Sequence, residues 1–299
     1  MKFGKLDDIT GVDFSVPQWP AESLALLPGK PDPGFGFYVG LSRWASKDWV
    51  GNLFPPKTKP ADFLYHYARH FNTIELNTTH YRTPTPEQVV AWRDVTPQGF
   101  RFCPKVNQTS SHYRKLVGAD EEIAAFARAI AHFGDRLGCT FLQLHDSFSP
   151  ALLPNLYDFL QKWPAELPLA IEFRHAAWFA GQALIREATD ALLRHGVSAV
   201  ITDVSGRRDV LHTTLTQPLA MVRFVGNALH PTDYTRARVW MDRLDAARSA
   251  GLRDVYLFPH EPEDLMASDM GDFFFAEARE RWGYAPQKPE PPKGQLGLF

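Results

Sequence analysis

Phe35-Gly36-Phe37-Tyr38-Val39-Gly40 opens the stretch that decides how this chain folds. After it, Phe63, Leu64, Tyr67, Ala68 and Phe71 fall at helical spacing, and Thr73-Ile74-Glu75-Leu76-Asn77 follows. The first and last runs are short and almost continuously apolar, as strands buried on both faces of a parallel sheet are. The stripe between them is one apolar face of a helix. The stretch therefore reads as strand, crossover, strand.

The same unit recurs on the way to the C-terminus. Phe100–Val106, Thr140–Leu144, Leu169–Phe173, Ala199–Asp203, Ala220–Phe224 and Val255–Phe258 read as strands. Between them, helices are predicted over Pro86–Trp92, with Pro in a first turn, and over Leu152–Trp163. Another, opened by Asp120, Glu121 and Glu122, buries Ile123, Phe126, Ile130 and Phe133. Further helices span Gln182–His195, stopping at Gly196, Tyr234–Ala250, stopping at Gly251, and Leu265–Trp282. The return after the sixth strand is short and irregular. Strand–crossover units in this number make an α/β fold, a TIM-like (β/α)8 barrel over residues 35–284. A doubly wound open sheet competes, but no glycine-rich phosphate turn follows the first strand. Residues 1–34, rich in Pro and Gly, form an irregular N-terminal extension, and 285–299 a flexible Pro-rich tail.

Composition agrees with such a body. The 299 residues are 44% hydrophobic and 22% charged, ordinary globular values. With 32 basic and 34 acidic side chains the net charge is −2, which argues against a generally basic nucleic-acid coat but not against a local basic groove. Two cysteines, Cys103 and Cys139, are too few for a disulfide framework or a cysteine zinc cluster. The start has no apolar secretory core and no stretch of about 18 apolar residues could span a bilayer, so a soluble cytoplasmic protein without a membrane partner is expected.

In a barrel of this kind the working residues sit at the carboxyl ends of the strands. Those positions hold Ser42 and Trp44; Glu75, Asn77, His80 and Tyr81; Lys105; Gln143, His145 and Asp146; Glu172, Arg174 and Trp178; Asp203; Arg223; and His260 and Glu261. The acids Glu75, Glu172 and Asp203 beside Lys105 form the candidate catalytic set, with Glu75 or Glu172 as general base. Arg174 and Arg223 offer forks for phosphate or carboxylate. Trp44, Tyr81 and Trp178 offer stacking faces, and Asn77 and Gln143 polar contacts. A purely structural reading stands beside this one: Glu75, Glu172, Lys105, Arg174 and Arg223 as an internal salt-bridge cluster, and the tryptophans as packing.

At these residues the chain resembles a known family. Val39-Gly40-Leu41-Ser42-Arg43-Trp44 with Lys47-Asp48-Trp49 is similar to the opening of the YecE-like family, domain of unknown function 72. Tyr67-Ala68-Arg69-His70-Phe71-Asn72-Thr73-Ile74-Glu75-Leu76-Asn77 with Tyr81-Arg82 resembles its most specific block. Phe100-Arg101-Phe102 with Lys105, Leu142-Gln143-Leu144, Ile171-Glu172-Phe173-Arg174 with Trp178, and Asp203 continue the likeness over residues 36–282. The resemblance implies a TIM-like barrel and supplies no reaction. The chain departs from the family pattern twice: Arg223-Phe224-Val225-Gly226 lacks the His-Gly expected after the Arg, and Phe258-Pro259-His260 stands where Phe-Asn-Asn is usual.

The rim suits a hydrolase or isomerase acting on a phosphate-bearing sugar, nucleotide or nucleic acid. A divalent metal is the sharper variant, with His145, Glu172, Asp203 and His260 as ligands, although no metal motif marks the sequence. The enzyme reading requires Glu75, Lys105, Glu172, Arg174 and Asp203 to meet in one open pocket. The alternative is a binding or adaptor protein. The tail ends in Gln295-Leu296-Gly297-Leu298-Phe299, which looks like the peptide by which bacterial replication and repair proteins hook onto the sliding clamp. That likeness makes Gln295 the polar anchor and Leu296, Leu298 and Phe299 the apolar ones.

Overall fold

The computed structural model describes residues 4–284. Among these, eight parallel strands form one sheet: β1 (Gly36–Leu41), β2 (Thr73–Leu76), β3 (Arg101–Pro104), β4 (Thr140–Gln143), β5 (Leu169–Glu172), β6 (Ser198–Asp203), β7 (Leu219–Val225) and β8 (Asp254–His260). Their order is β3-β2-β1-β8-β7-β6-β5-β4. Between the two ends, Lys105 bridges Phe141, and the Val106 N–H donates to the Phe141 carbonyl at 2.9 Å. That seam brings the sheet round into a nearly closed TIM-like barrel ringed by helices, the architecture expected from the alternating runs.

The expected crossovers are present with shifted ends. The helix predicted over 182–195 is Arg186–Arg194, because residues 179–184 first make a two-residue hairpin. After β6 a single 3-10 turn, Arg208–Val210, replaces a helix, as the irregular return implied. Pro231–Ala250 and Asp264–Trp282 are the longest helices among the described residues, and both end on a left-handed glycine, Gly251 and Gly283.

Residues in the block around Asn72 tie β1 to β2. The Tyr67 hydroxyl accepts from Leu41 N–H at 2.7 Å and donates to the Thr73 carbonyl at 2.9 Å. The Asn72 side chain accepts from Val39 N–H and donates to the Phe37 carbonyl, both at 2.9 Å. A Cβ at Gly40 would collide with the Thr73 carbonyl, so only glycine lets the two strands approach here. The block thus fixes the strand that carries Glu75.

Strand side chains alternate across the wall. Inward-facing Cys103, Phe141, Ala170, Val200, Met221, Tyr256 and Phe258, with Cys139, form a small apolar cluster inside the barrel, separate from the large core under the helices. Burial pushes the Cys103 thiol up to about 12, which leaves it unreactive. The inner layer nearest the carboxyl ends is charged. Residues 4–34 lie against the β6–β7 side, where Trp19 Nε1 donates to the Arg243 carbonyl at 2.6 Å and Gly206 N–H donates to the Gly4 carbonyl at 2.6 Å. No helix among the described residues is long and apolar enough to cross a membrane. Gln295, Leu296, Leu298 and Phe299 lie outside the described residues.

Candidate functional site

The inward parity of β2, β5 and β7 places Glu75, Glu172 and Arg223 in one layer across the barrel axis. Arg223 is 2% exposed and grips Glu75 with a fork, Nε to Oε2 and Nη2 to Oε1, both 2.8 Å. Its third nitrogen, Nη1, donates to Glu172 Oε2 at 2.8 Å. The remaining capacity of both carboxylates is also used. Glu75 accepts from Asn77 Nδ2 at 2.9 Å and lies 3.1 Å from His260 Nε2. Glu172 accepts from Gln143 Nε2 at 2.8 Å and from Arg174 Nε at 2.9 Å.

Burial alone would raise both carboxyls. Against it, Arg223 and His260 hold Glu75 well below the carboxylate range, and Arg174 and Arg223 do the same for Glu172. Neither carboxylate has exposed surface, and anions so fully hydrogen-bonded are weak bases. The groups above them keep little exposure, Lys105 and His80 at 7% and Gln143 at 4%. Lys105, from the end of β3, donates to Gln143 Oε1 at 2.9 Å. Its burial, then the charge of Arg223, lowers the amine to about 8. Such an amine exchanges protons near neutral pH and can act as base or nucleophile.

Two histidines complete this side of the mouth. His80 Nδ1 meets the Val106 carbonyl at 2.8 Å, its ring 4.9 Å from that of His112, which is 5.4 Å from that of His145. Burial and Lys105 push His80 down to about 4. Burial, His80 and Lys105 push His112 to about 3. Tyr81 and Tyr113, next in sequence to these two, are 73% and 72% exposed, so their faces are open.

Several expected residues stand elsewhere. Asp203 does not join the layer, so the expected meeting of Glu75, Lys105, Glu172, Arg174 and Asp203 in one open pocket is not met. It is in register with Phe224, which packs outward on Phe274, so it faces the helices. There it accepts from Trp240 Nε1 at 2.6 Å, from Arg236 Nη1 at 3.1 Å, and from Arg208. Trp178 is fully buried against Phe148 and Phe173, and Trp44 packs edge-on to Trp92 with its rings 5.3 Å away. His145 and His260 sit on different sides of the mouth. Among the described residues no three His, Cys, Asp or Glu side chains are grouped as a metal would need. Reading the sequence alone passed over His112, whose only signal is its place on the loop after β3, and gave Glu261 no role.

On the β7–β8 side the mouth opens into a cavity of about 400 Å³ lined by Lys5, Asp7, Val225, Gly226, His260, Glu261 and Pro262. His260 belongs to both halves, since its ring also touches Glu75.

The family model described as "Protein of unknown function DUF72" matches residues 38–293, through the whole barrel and this mouth. The chain belongs to the DUF72 family. It is 31% identical over 261 residues to the UPF0759 protein YecE of Escherichia coli K12, covering 81% of this chain and 93% of that one. It is 27% identical over 150 residues to the UPF0759 protein YunF of Bacillus subtilis, covering 48% and 52%. Among solved structures, a DUF72 protein of Enterococcus faecalis superposes with a TM-score of 0.66 at 19% identity, covering 84% of this chain and 99% of that one. One from Thermotoga maritima gives 0.63 at 24%, covering 79% and 98%. These likenesses carry the DUF72 fold. The pentapeptide 295–299 lies beyond the residues that the family model matches.

Proposed function

We propose that this DUF72 protein is an enzyme, a hydrolase or isomerase, that binds a phosphate-bearing sugar, nucleotide or nucleic acid on the β3–β5 side of the barrel mouth. One observation carries the reading: Lys105, Arg174 and Arg223 gather with two histidines on one side of the mouth. Glu75 and Glu172 face Arg223, Arg174 and Lys105, and Asp146 reaches Arg174 only from the solvent side at 3.7 Å. Among the described residues Lys105 forms no ion pair, and its burial, then the charge of Arg223, lowers its amine to about 8. An anion bound between Lys105, Arg174 and the histidines gives the Lys105 amine an ion-pair partner. Arg174 presents a fork and Lys105 a point charge. Tyr81 and Tyr113 offer stacking faces for a sugar or base. Glu75, Glu172, Asn77 and Gln143 then position Arg223 and Lys105, and Lys105 is the group that takes or gives the proton.

The test is calorimetric titration with inorganic phosphate, sugar phosphates and nucleoside monophosphates, followed by a turnover assay on whatever binds. Lys105→Gln should weaken binding about 10- to 100-fold, the loss of one charge-assisted hydrogen bond. Binding should also raise the pKa of His80 and His112, visible as shifts of their imidazole resonances. If no phosphate compound binds, or if the variant binds as well as the parent, the reading is wrong.

The tail sequence supports a second activity in the same chain. We propose that Gln295, Leu296, Leu298 and Phe299 dock on a bacterial sliding clamp, with the barrel tethered beside it. A peptide of residues 285–299 should bind purified clamp in calorimetry, and the Phe299→Ala peptide should not. Absence of binding by the intact peptide ends that idea.

A further inference from the structure

We infer that the cavity at the ends of β7 and β8 is a separate subsite for an uncharged, hydroxyl-rich small molecule of monosaccharide size, held by Glu261 and His260. The inference extends the proposed function to the other half of the mouth, yet it needs neither Lys105 nor a phosphate. Its roughly 400 Å³ lies within the range of small-molecule pockets.

The site is built for a hydrogen-bond donor. Glu261 Oε2 accepts from the Ala228 N–H at 3.0 Å, while Oε1 is buried with no partner among the described residues. A buried acceptor without a donor is costly, so a ligand hydroxyl toward which the carboxyl turns offsets that cost. The surroundings preserve this carboxyl at some expense. Ala228 and Leu229 both adopt left-handed backbone, φ 61° and 55°, which non-glycine residues seldom do. That turn brings the 228 N–H onto Glu261. Gly226 lies directly beneath, and any Cβ there would collide with the Glu261 carboxyl. Glycine therefore keeps open the floor on which the carboxyl rests.

His260 supplies the second polar contact. Its Nε2 faces the ionised Glu75, which places the proton on that nitrogen and leaves Nδ1 as the ring's acceptor. Both residues line the cavity, and a carboxyl and an imidazole suit the O–H groups of a polyol. Val225 and Pro262 add apolar wall for its C–H faces. The charge balance among the described residues does not favour phosphate in this half. Lys5 and Asp7, from the N-terminal segment over the cavity, cancel each other, and the remaining charged group in the lining is a carboxyl. Burial and the nearby Asp233 raise that carboxyl to about 7, so at neutral pH it can both accept and donate to a hydroxyl.

The experiment uses the full chain, isotopically labelled, with unphosphorylated D-ribose, D-glucose and myo-inositol as probes. At least one should shift the amide resonances of Gly226, Ala228 and Glu261. Glu261→Leu should weaken that binding by about tenfold or more. If Glu261→Leu does not fold, Gly226→Ala replaces it, since its methyl group takes the carboxyl's place. Inorganic phosphate in a parallel titration should shift Lys105 and His112 instead. Failure of every polyol, or binding unchanged in the folded variant, overturns the inference whatever phosphate does. Failure of phosphate alone overturns only the function proposed above.

Discussion

Two buried ionic clusters sit at the carboxyl ends of neighbouring strands, one inside the barrel and one outside. Inside, Arg223 joins Glu75 to Glu172. Outside, Arg236 joins Asp203 to Asp233, with Arg208 closing over Asp203. Arg236 is also enclosed by aromatic rings, its guanidinium 4.2 Å from the Phe224 ring centre and 5.0 Å from that of Phe14. In the outer cluster two carboxylates meet two arginines and the account closes. In the inner one, Arg174 and Lys105 stand beside the same two glutamates, Arg174 bonded to Glu172 and Lys105 to Gln143. Similar residues at similar heights thus differ in kind. The outer cluster locks β6 to the helix Pro231–Ala250, and the inner one gathers its charges at the mouth of the barrel.

The harshest way to break the comparison is to remove the inner arginine. Arg223→Met strands two carboxylates in the barrel and should cost about 3–5 kcal/mol at pH 7 in urea unfolding. Its pH dependence fixes the cause. In the parent both glutamates are depressed, so their contribution is complete above the ordinary value of 4.5 and fades as pH falls below it. In the variant their values rise, and acid relieves the penalty. The gap between the two proteins should therefore narrow from pH 7 to pH 4. A gap that stays constant would show that lost packing, not stranded charge, is responsible.

The outer cluster gives a milder test. Asp203→Asn keeps the shape and most hydrogen bonds but leaves Arg236 and Arg208 facing a neutral group. About 1.5–3 kcal/mol should be lost, again in urea. Phosphate affinity, measured by calorimetry, should stay within about twofold of the parent, because the wall of β6 separates Asp203 from Lys105. A larger loss of affinity would mean that the two clusters communicate, and the distinction drawn between them would fail.

That distinction also marks where the sequence stops being legible. The barrel was readable because parallel strands buried on both faces are nearly continuous apolar runs, and most of the eight are. The same property hides parity. In Ala199-Val200-Ile201-Thr202-Asp203 nothing in the composition says which face is inner, so Asp203 reads as a rim residue. Its register with Phe224 settles the matter. Glu75, Glu172, Lys105 and Arg223 were legible as a group because charge on an apolar strand must find a partner. Trp178 looked available for stacking, but a strand-end loop can fold its ring into the core, where Trp178 Nε1 donates to the Phe148 carbonyl at 2.6 Å. Glu261 was seen and not weighed, since its unpartnered oxygen and the strained turn at Ala228 are products of tertiary structure. The role of Lys5 and Asp7 was out of reach, because nothing local ties an irregular extension to β7 and β8.

The smallest effect expected comes from Glu261, a carboxyl shifted in the direction opposite to Glu75, Glu172 and Asp203. Its folded value is raised to about 7, burial and Asp233 outweighing the Ala228 N–H. A raised acid binds its proton more tightly in the folded state, so it favours folding at low pH, and that advantage fades as pH rises from 4.5 through 7. Above 7 the parent carries an ionised carboxyl facing Asp233 and Asp7, with Arg236 and Lys5 as the nearby cations and His260 neutral. Glu261→Gln removes the charge and keeps an oxygen for the Ala228 N–H. The variant should be more stable than the parent by about 1–2 kcal/mol at pH 8, after allowance for partial solvent screening, and indistinguishable from it near pH 4. Thermal unfolding of both proteins across that range decides it. If the advantage is the same at both ends, the gain comes from packing; if there is none, the Glu261 carboxyl titrates like an ordinary surface acid.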